Sequence, residues 1–236
     1  MLDPGSAVPR QHLRFVDGLR GLAALYLVLH HAWLQTWPKI VYGDAPTGWT
    51  EALTGWLLYG HYAVALFVTI SGYCLMLPVL RNGGRLKDSS VRDFYSLRAK
   101  RILPAYMAAL VISIFLDSIF ISNGTHTLYD ASLPITTMGV ATHFMLIQNL
   151  FGREAAQING PLWFIGIQCQ LYLLFPILLA ARRRFGILKI LAVSLLFSMV
   201  VLAMTERTPH AGLNPQYLFV FCLGMYGAEA TLNSPW

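Results

Sequence analysis

Long runs of apolar residues, separated by short polar and basic stretches, dominate the pattern of this chain. Seven runs stand out, at about residues 18–37, 56–80, 102–121, 132–151, 161–181, 185–204 and 215–230. Each comes close to the roughly 20 residues that an α-helix needs to cross a bilayer. They lack the alternation over roughly ten residues that marks a transmembrane β-strand. The pattern therefore predicts an all-α, polytopic membrane helical bundle with six to seven transmembrane segments.

The composition excludes several other classes of protein. Of 236 residues, 56% are hydrophobic and 12% are charged, and the mean hydropathy is +0.55. A soluble domain carries about 25% charged residues, so a soluble enzyme is disfavoured. The net charge is +6, and the basic residues lie between the apolar runs. This placement is typical of the positively charged cytoplasmic loops of a membrane protein and disfavours nucleic-acid binding. The three cysteines lie inside apolar runs without zinc-site spacing, so we expect free thiols and no metal.

The positions of Lys and Arg predict the topology. Residues 81–101 and the N-terminal segment are rich in basic residues, so both are expected on the cytoplasmic side of the cell membrane. The basic residues 182–184 are expected on the cytoplasmic side as well. They reach it only if one of the three apolar runs between residues 101 and 182 does not cross the membrane. Run 132–151 is the most polar. We therefore expect six full spans and one re-entrant or interfacial segment, with a cytoplasmic N-terminus.

The first run carries polar residues that are costly to keep in a membrane. Arg20 and His31 are eleven residues apart, so they share one helix face and lie about 16 Å apart along the axis. His30 points about 100° away from that face. A functional interpretation makes His31 a general base and Arg20 an anchor for an anion. The alternative is that Arg20 snorkels to the interface and His31 bonds to a neighbouring helix.

Two further pairs of candidate functional residues lie in the second run and at the start of the third. Ser71 and Gly72 lack the flanking glycines of a serine nucleophile, so they favour close helix packing instead. Arg98 and Arg101 are three residues apart on one face, where two guanidinium groups could bind phosphate oxygens. The alternative is contact with lipid head groups.

The fifth run contains two pairs of residues that share a helix face. Gln168 lies four residues before Tyr172, and Trp163 lies seven before Gln170. These side chains could position an acceptor hydroxyl group or join helices by hydrogen bonds, and spacing does not separate the two.

Five short motifs, in order along nearly the whole chain, resemble those of the integral-membrane acyltransferase-3 family. The matching positions are Asp17, Gly18, Leu19, Arg20 and His31 in the first motif, residues 67–73 with Ser71 and Gly72 in the second, Arg98, Arg101, Ile102, Pro104 and Tyr106 in the third, residues 163–172 with Trp163, Gln170 and Tyr172 in the fourth, and Phe221, Gly224 and Met225 in the fifth. The resemblance selects His31 rather than His30 as the family histidine.

The resemblance implies transfer of an acyl group, often acetyl, from acyl-CoA to a hydroxyl of a carbohydrate or lipid-linked glycan. It implies catalytic roles for His31 and Arg20, and contact with CoA for Arg98 and Arg101. Substrate-binding roles fall to residues of the fourth motif, and structural roles to one acidic and two small residues of the first two motifs. These two sets are Trp163, Gln168, Gln170 and Tyr172, and Asp17, Ser71 and Gly72. Acyl-CoA is then a co-substrate, and no permanently bound cofactor is expected.

The chain departs from the family pattern in two ways. Gln168 replaces a glutamate, and an amide cannot carry charge or take up a proton. The chain also stops soon after the fifth motif, so we expect residues 1–17 to be a cytoplasmic N-terminal segment and residues 18–231 to be an incomplete family domain. Its lateral surface would then need lipid, another copy or a separate partner chain.

Two other functions compete with acyl transfer. One is a truncated, catalytically inactive membrane protein that binds a partner or has no role. The other is a small transporter, which the sequence disfavours because no inverted repeat or pair of broken helices is recognisable.

Overall fold

The structure, a computed structural model, describes residues 10–38, 43–86, 90–120, 125–205 and 213–233. Within these ranges the regular secondary structure is all helical and contains no β-strand, which confirms the all-α part of the predicted fold class. The α-helices are α1 (Arg10–Thr36), α2 (Gly48–Thr54), α3 (His61–Arg81), α4 (Val91–Phe120), α5 (Thr137–Phe144), α6 (Trp163–Phe185), α7 (Ile187–Thr205) and α8 (Gln216–Asn233). Short 3₁₀ helices cover Gly55–Tyr59, Leu128–Ser132, Gln148–Leu150, Glu154–Ala156 and Gly160–Leu162.

Four helical stretches of the described chain are long and apolar enough to cross a membrane. They are Gly48–Arg81, Val91–Ile119, Gly160–Phe185 and Ile187–Thr205. Helices α1 and α8, of 27 and 18 residues, flank this set. The membrane-helix class therefore stands, whereas the count of six to seven spans stays a prediction.

Helix α4 begins well before the predicted start at residue 102. Ser90 caps its first turn, because the Ser90 Oγ accepts a hydrogen bond from the Asp93 backbone N–H at 3.1 Å. Arg98 and Arg101 consequently lie within a regular helix and not in a connecting loop. Helix α1 likewise begins at Arg10, ahead of the domain boundary predicted after Asp17.

The fourth apolar run does not form a spanning helix. Its only α-helix, α5, has 8 residues and a length of about 12 Å, against about 30 Å for a bilayer core. Buried side chains bond the irregular backbone around it. The Tyr106 hydroxyl donates to the His143 carbonyl at 2.8 Å, and Gln148 Nε2 donates to the Leu162 carbonyl at 2.8 Å. This agrees with the prediction that the run does not fully cross.

Two arginines at the end of α6 bring the basic stretches 81–101 and 182–184 and the end of α8 together at one end of the bundle. Arg183 Nε and Nη2 donate to the Gly84 carbonyl at 3.1 and 2.6 Å, which ties the end of α6 to the turn after α3. Arg182 Nε also lies 2.8 Å from Glu229 Oε2, near the end of α8. The two basic clusters therefore share one side of the bundle, as the charge pattern requires.

The core lies between α3, α6 and α8. Its fully buried members include Val68, Met76, Phe175, Phe221 and Met225. The Phe175 ring packs edge-on against Phe221, with centroids 6.2 Å apart.

Helices α3 and α8 approach each other most closely at two glycines. A Cβ atom on Gly72 would overlap the Phe221 carbonyl, and one on Gly224 would overlap the Thr69 carbonyl. Small residues of this kind allow membrane helices to pack backbone against backbone. The α3–α8 pair is therefore a rigid frame, and Ser71, next to Gly72, projects from it.

Candidate active site

A cavity of about 460 Å³ lies between α1, α3, α4 and α6. We call it the arginine cavity. Its polar and charged lining residues are Arg20, Ser71, Cys74, Arg98, Arg101, Gln168 and Tyr172, and its apolar ones are Phe67, Leu75, Ile102, Phe164 and Ile165.

Positive charge dominates the arginine cavity. Arg20 forms an ion pair with Asp17 one turn away, at 3.6 Å, but the Asp17 side chain is 72% exposed. The Arg98 guanidinium lies over the Phe94 ring, with Cζ 5.5 Å from its centroid, and its buried Nε has no hydrogen-bond partner. Within the described part of the chain, no acidic side chain pairs with Arg98 or Arg101. The cavity is therefore suited to an anionic group such as phosphate.

One buried amide lies in the wall of this cavity. Gln168 is 6% exposed, and its Oε1 accepts a long hydrogen bond of 3.4 Å from the Ser71 hydroxyl. Its Nε2 has no partner among the described residues. Gln168 therefore offers a hydrogen-bond donor to a ligand in the cavity, where a carboxylate would offer only acceptors.

A second cavity of about 570 Å³ lies between α1, α3 and α6, beside the starts of α3 and α6. We call it the histidine cavity. Its lining residues are Ala24, Leu27, Val28, His30, His31, Gly60, His61, Val64, Phe67, Pro161, Trp163 and Phe164.

Both neighbouring histidines of α1 line this cavity. Their rings are 5.0 Å apart between centroids, although their positions point about 100° apart on the helix. His30 Nδ1 donates to the Leu57 carbonyl at 2.6 Å, so its proton is on that nitrogen. Gly60 allows this approach, because a Cβ there would overlap the His30 ring. His30 is thereby fixed, while His31 is half-buried against the cavity.

The structure brings most of the predicted site residues into two adjoining groups. The arginine cavity collects Arg20, Ser71, Arg98, Arg101, Gln168 and Tyr172, and the histidine cavity collects His31 and Trp163. Gly72 lies in the α3–α8 contact instead, Asp17 pairs with Arg20, and Gln170 bonds to Asn149. Among the residues that the structure describes, no His, Cys, Asp or Glu cluster could hold a metal ion.

Sequence reasoning missed two residues that line both cavities, Phe67 and Phe164. Phe67 begins the second motif, but nothing in the sequence places it opposite Phe164 on another helix. It also missed that His30 shares the cavity of His31. The backbone at Leu57 and Gly60 contacts the His30 ring, and no pattern in the sequence predicts this contact.

A comparison with protein families decides the assignment. The sequence model described as "Acyltransferase domain" matches residues 13–234, almost the whole chain. The chain belongs to the acyltransferase-3 family. In this acyltransferase-3 chain, all five motif regions fall within the matched residues.

Curated relatives carry the name O-acetyltransferase. The chain is 25% identical to O-acetyltransferase OatA of Staphylococcus aureus strain NCTC 8325 / PS 47 over 172 residues, or 72% of this chain and 25% of OatA. The OatA of strain MRSA252 gives the same values. The acyltransferase-3 chain thus spans about a quarter of the length of these curated relatives. No solved structure gave a significant match.

Proposed function

We propose that this chain is a membrane-bound O-acyltransferase that moves an acetyl group from acyl-CoA to a hydroxyl of a carbohydrate or lipid-linked glycan. The observation that carries the proposal is the pairing of two adjoining cavities, one with three arginines and one with His31. Membership of the acyltransferase-3 family supports acyl transfer in general. The name O-acetyltransferase in the relatives supports acetyl as the transferred group.

The spacing of the two cavities suits acyl-CoA as the donor. Arg20 and His31 lie about 16 Å apart along α1, at 1.5 Å per residue. Acyl-CoA carries its phosphates and its reactive thioester at the two ends of a long, thin arm. Arg20, Arg98 and Arg101 bind the phosphates, and the arm carries the thioester toward His31. Gln168 and Tyr172 contact the donor along the wall of the arginine cavity.

The chemistry assigned to the histidine cavity is a single acyl transfer. His31 accepts the proton of the acceptor hydroxyl, and the hydroxyl oxygen attacks the thioester carbonyl. The carbon–sulfur bond breaks, and the CoA thiolate takes up a proton to leave as the free thiol. Trp163 offers an aromatic wall for the acceptor in the same cavity. The products are an O-acyl ester and CoA.

The proposed placement in the cell membrane has six spans, formed by the four apolar stretches together with α1 and α8. The N-terminus and both basic clusters then face the cytoplasm, where acyl-CoA is found. The apolar face of α7, with Leu188 and Val193 each 67% exposed, contacts lipid, a second copy or a partner chain. Reporter fusions after Gly152 and after Arg184 test this placement. A cytoplasmic signal at Gly152 would overturn it.

Acyl transfer is tested with labelled acetyl-CoA in membrane vesicles that contain the full chain and a glycan acceptor. We expect His31→Ala to lower the transfer rate about 10²- to 10⁴-fold, the usual contribution of a general base. Arg98→Ala should raise KM for acetyl-CoA. His126→Ala, at an exposed histidine outside both cavities, is the matched control. Equal activity in wild type, His31→Ala and Arg98→Ala would remove the assigned roles.

A second candidate is a catalytically inactive membrane protein, and Gln168 favours it. The family glutamate is replaced by an amide that cannot exchange a proton. Transfer by the wild-type chain would exclude this candidate. Retained binding of acetyl-CoA without transfer, together with gain of transfer in Gln168→Glu, would establish it.

A further inference from the structure

Two phenylalanine rings stand where the two cavities meet. Phe67 on α3 and Phe164 on α6 line both the arginine cavity and the histidine cavity. Their centroids are 6.4 Å apart with an interplanar angle of 46°, within the range of contacting aromatic pairs. Among the described residues these two alone line both cavities, so their rings mark the boundary between them.

The surrounding side chains hold this pair in register. Ser71 follows Phe67 by four residues and Gln168 follows Phe164 by four, so each aromatic ring shares a helix face with a polar group. The Ser71–Gln168 hydrogen bond thus lies one turn from the ring pair, on the side of the arginine cavity. Trp163 packs edge-on against Phe164, with centroids 6.1 Å apart, and tilted against Tyr217, with centroids 5.9 Å apart.

The two cavities are displaced from each other along the bundle, with Arg20 of one and His31 of the other about 16 Å apart along α1. Arg98 and Arg101, the last arginines of the basic stretch 81–101, lie in the first third of α4. Gly60, His61 and Pro161 lie at the starts of α3 and α6. An opening between the Phe67 and Phe164 rings would join the two cavities into one continuous path.

We propose that Phe67 and Phe164 form a gate that closes this path and that only a slim donor arm can part. Hydrophobic constrictions close pores by excluding water, which suits a pair of contacting phenyl rings. This rests on the proposed function for the identity of the donor. Since the acyl end of the donor must enter first, the gate admits straight acyl groups such as acetyl and excludes branched or aromatic ones. Phe67 and Phe164 are therefore specificity-determining residues for the acyl group.

The first experiment measures the closure without acyl transfer. The full chain is reconstituted into liposomes, and the decay of an imposed pH gradient is followed. Wild type should hold the gradient, while Phe67→Ala and the double variant Phe67→Ala/Phe164→Ala should dissipate it several-fold faster. Phe115→Ala removes an equally large ring that is 60% exposed on α4 and is the matched control. Phe67→Leu, which keeps an apolar side chain, should leak less than Phe67→Ala.

The second experiment measures selectivity with acetyl-, isovaleryl- and benzoyl-CoA. One methylene in an apolar pocket changes kcat/KM by about 10- to 200-fold, so we expect at least a ~10-fold gain in the ratio of branched to acetyl transfer in Phe67→Ala. The gate proposal would be wrong if the double variant had the same melting temperature as wild type and dissipated the pH gradient no faster. Leakage in the double variant, combined with no acyl transfer by wild type, would uphold the gate and overturn the proposed function.

Discussion

Gln170 and Asn149 exchange two side-chain hydrogen bonds, with Gln170 Nε2 2.7 Å from Asn149 Oδ1 and Asn149 Nδ2 3.1 Å from Gln170 Oε1. Gln170 Nε2 also donates to the Leu146 carbonyl at 3.3 Å. Gly166, one turn earlier on α6, leaves no room for a Cβ beside the Asn149 amide. The non-spanning segment is thus bonded side-on to α6. Gln170 therefore joins α6 to the non-spanning segment and does not line either cavity. The family motif had instead predicted that Gln170 contacts a substrate.

Breaking one side of this amide pair should destabilise the protein more than replacing both sides. Gln170→Leu leaves the buried Asn149 amide unpaired, which costs about 1–3 kcal/mol. In Asn149→Leu/Gln170→Leu, both polar groups are gone, and part of that loss should be recovered. Thermal unfolding of the single and double variants in detergent gives the coupling energy, about 0.5–3 kcal/mol for residues in contact. Strictly additive effects would contradict the direct pairing.

Arg98 should contribute to donor binding through its fork of N–H groups. Loss of a charge-assisted hydrogen bond costs about 1.5–3 kcal/mol, so Arg98→Gln should raise KM for acetyl-CoA by roughly 10- to 100-fold. Arg98→Lys should recover only part of this, because an ammonium group cannot bind two oxygens in one plane. Arg85→Gln, at an exposed arginine outside the cavity, is the control. A KM for Arg98→Gln equal to that of Arg85→Gln would contradict phosphate binding by Arg98.

The α3–α8 contact should distinguish two glycines on the same helix. Gly224→Ala places a methyl group against the Thr69 carbonyl, whereas Gly227→Ala meets only Tyr73 Cδ2 at 3.8 Å. Overpacking of this kind costs about 1–3 kcal/mol, so Gly224→Ala should lower the melting temperature and the amount of protein in the membrane. Gly227→Ala should resemble wild type. Equal melting temperatures for the two variants would show that the helices are not in backbone contact at Gly224.

His143 should make stability depend on pH. Burial lowers the pKa of His143, and the hydrogen bond from Nδ1 to the Gly139 carbonyl, at 2.8 Å, opposes this only in part. As pH falls below about 6.5, the unfolded chain binds a proton that the folded chain does not, so the free energy of unfolding decreases. The limiting slope for one group is about 1.4 kcal/mol per pH unit.

Melting temperatures between pH 7.5 and 5 test this linkage. His143→Gln should flatten the decrease at acidic pH. His126→Gln, which removes only an exposed ion pair with Asp44 worth about 0–1 kcal/mol, should leave most of the decrease in place. An unchanged pH profile in His143→Gln would show that His143 is not the group whose protonation destabilises the fold.

The sequence predicted features that depend on local spacing. Apolar run length located α6 and α8 to within a few residues, and the polar content of run 132–151 indicated that it does not cross. The three-residue spacing of Arg98 and Arg101 predicted that both face one site, because neighbouring positions on a helix keep a fixed geometry.

Contacts between distant segments were not predictable in the same way. The start of α4 at Val91 was missed because its first turns are charged, and run length follows only the apolar part of a helix. The capping residue Ser90 was the available signal. The pairing of Gln170 with Asn149 and of Phe67 with Phe164 depends on how helices pack, which one sequence does not encode locally.

In the six-span placement proposed above, the eight-residue length of α5 sets the number of membrane crossings. A segment that enters and leaves on the same face adds no crossing, so under that placement the helices after it keep their direction. If α5 were extended to the roughly 20 residues of a full span, α6 would run the other way through the membrane. Gln168 could then no longer reach Ser71, and Arg183 could no longer reach Gly84. The shortest membrane-associated helix after α3 thus determines whether the arginines and glutamine of one cavity ever meet.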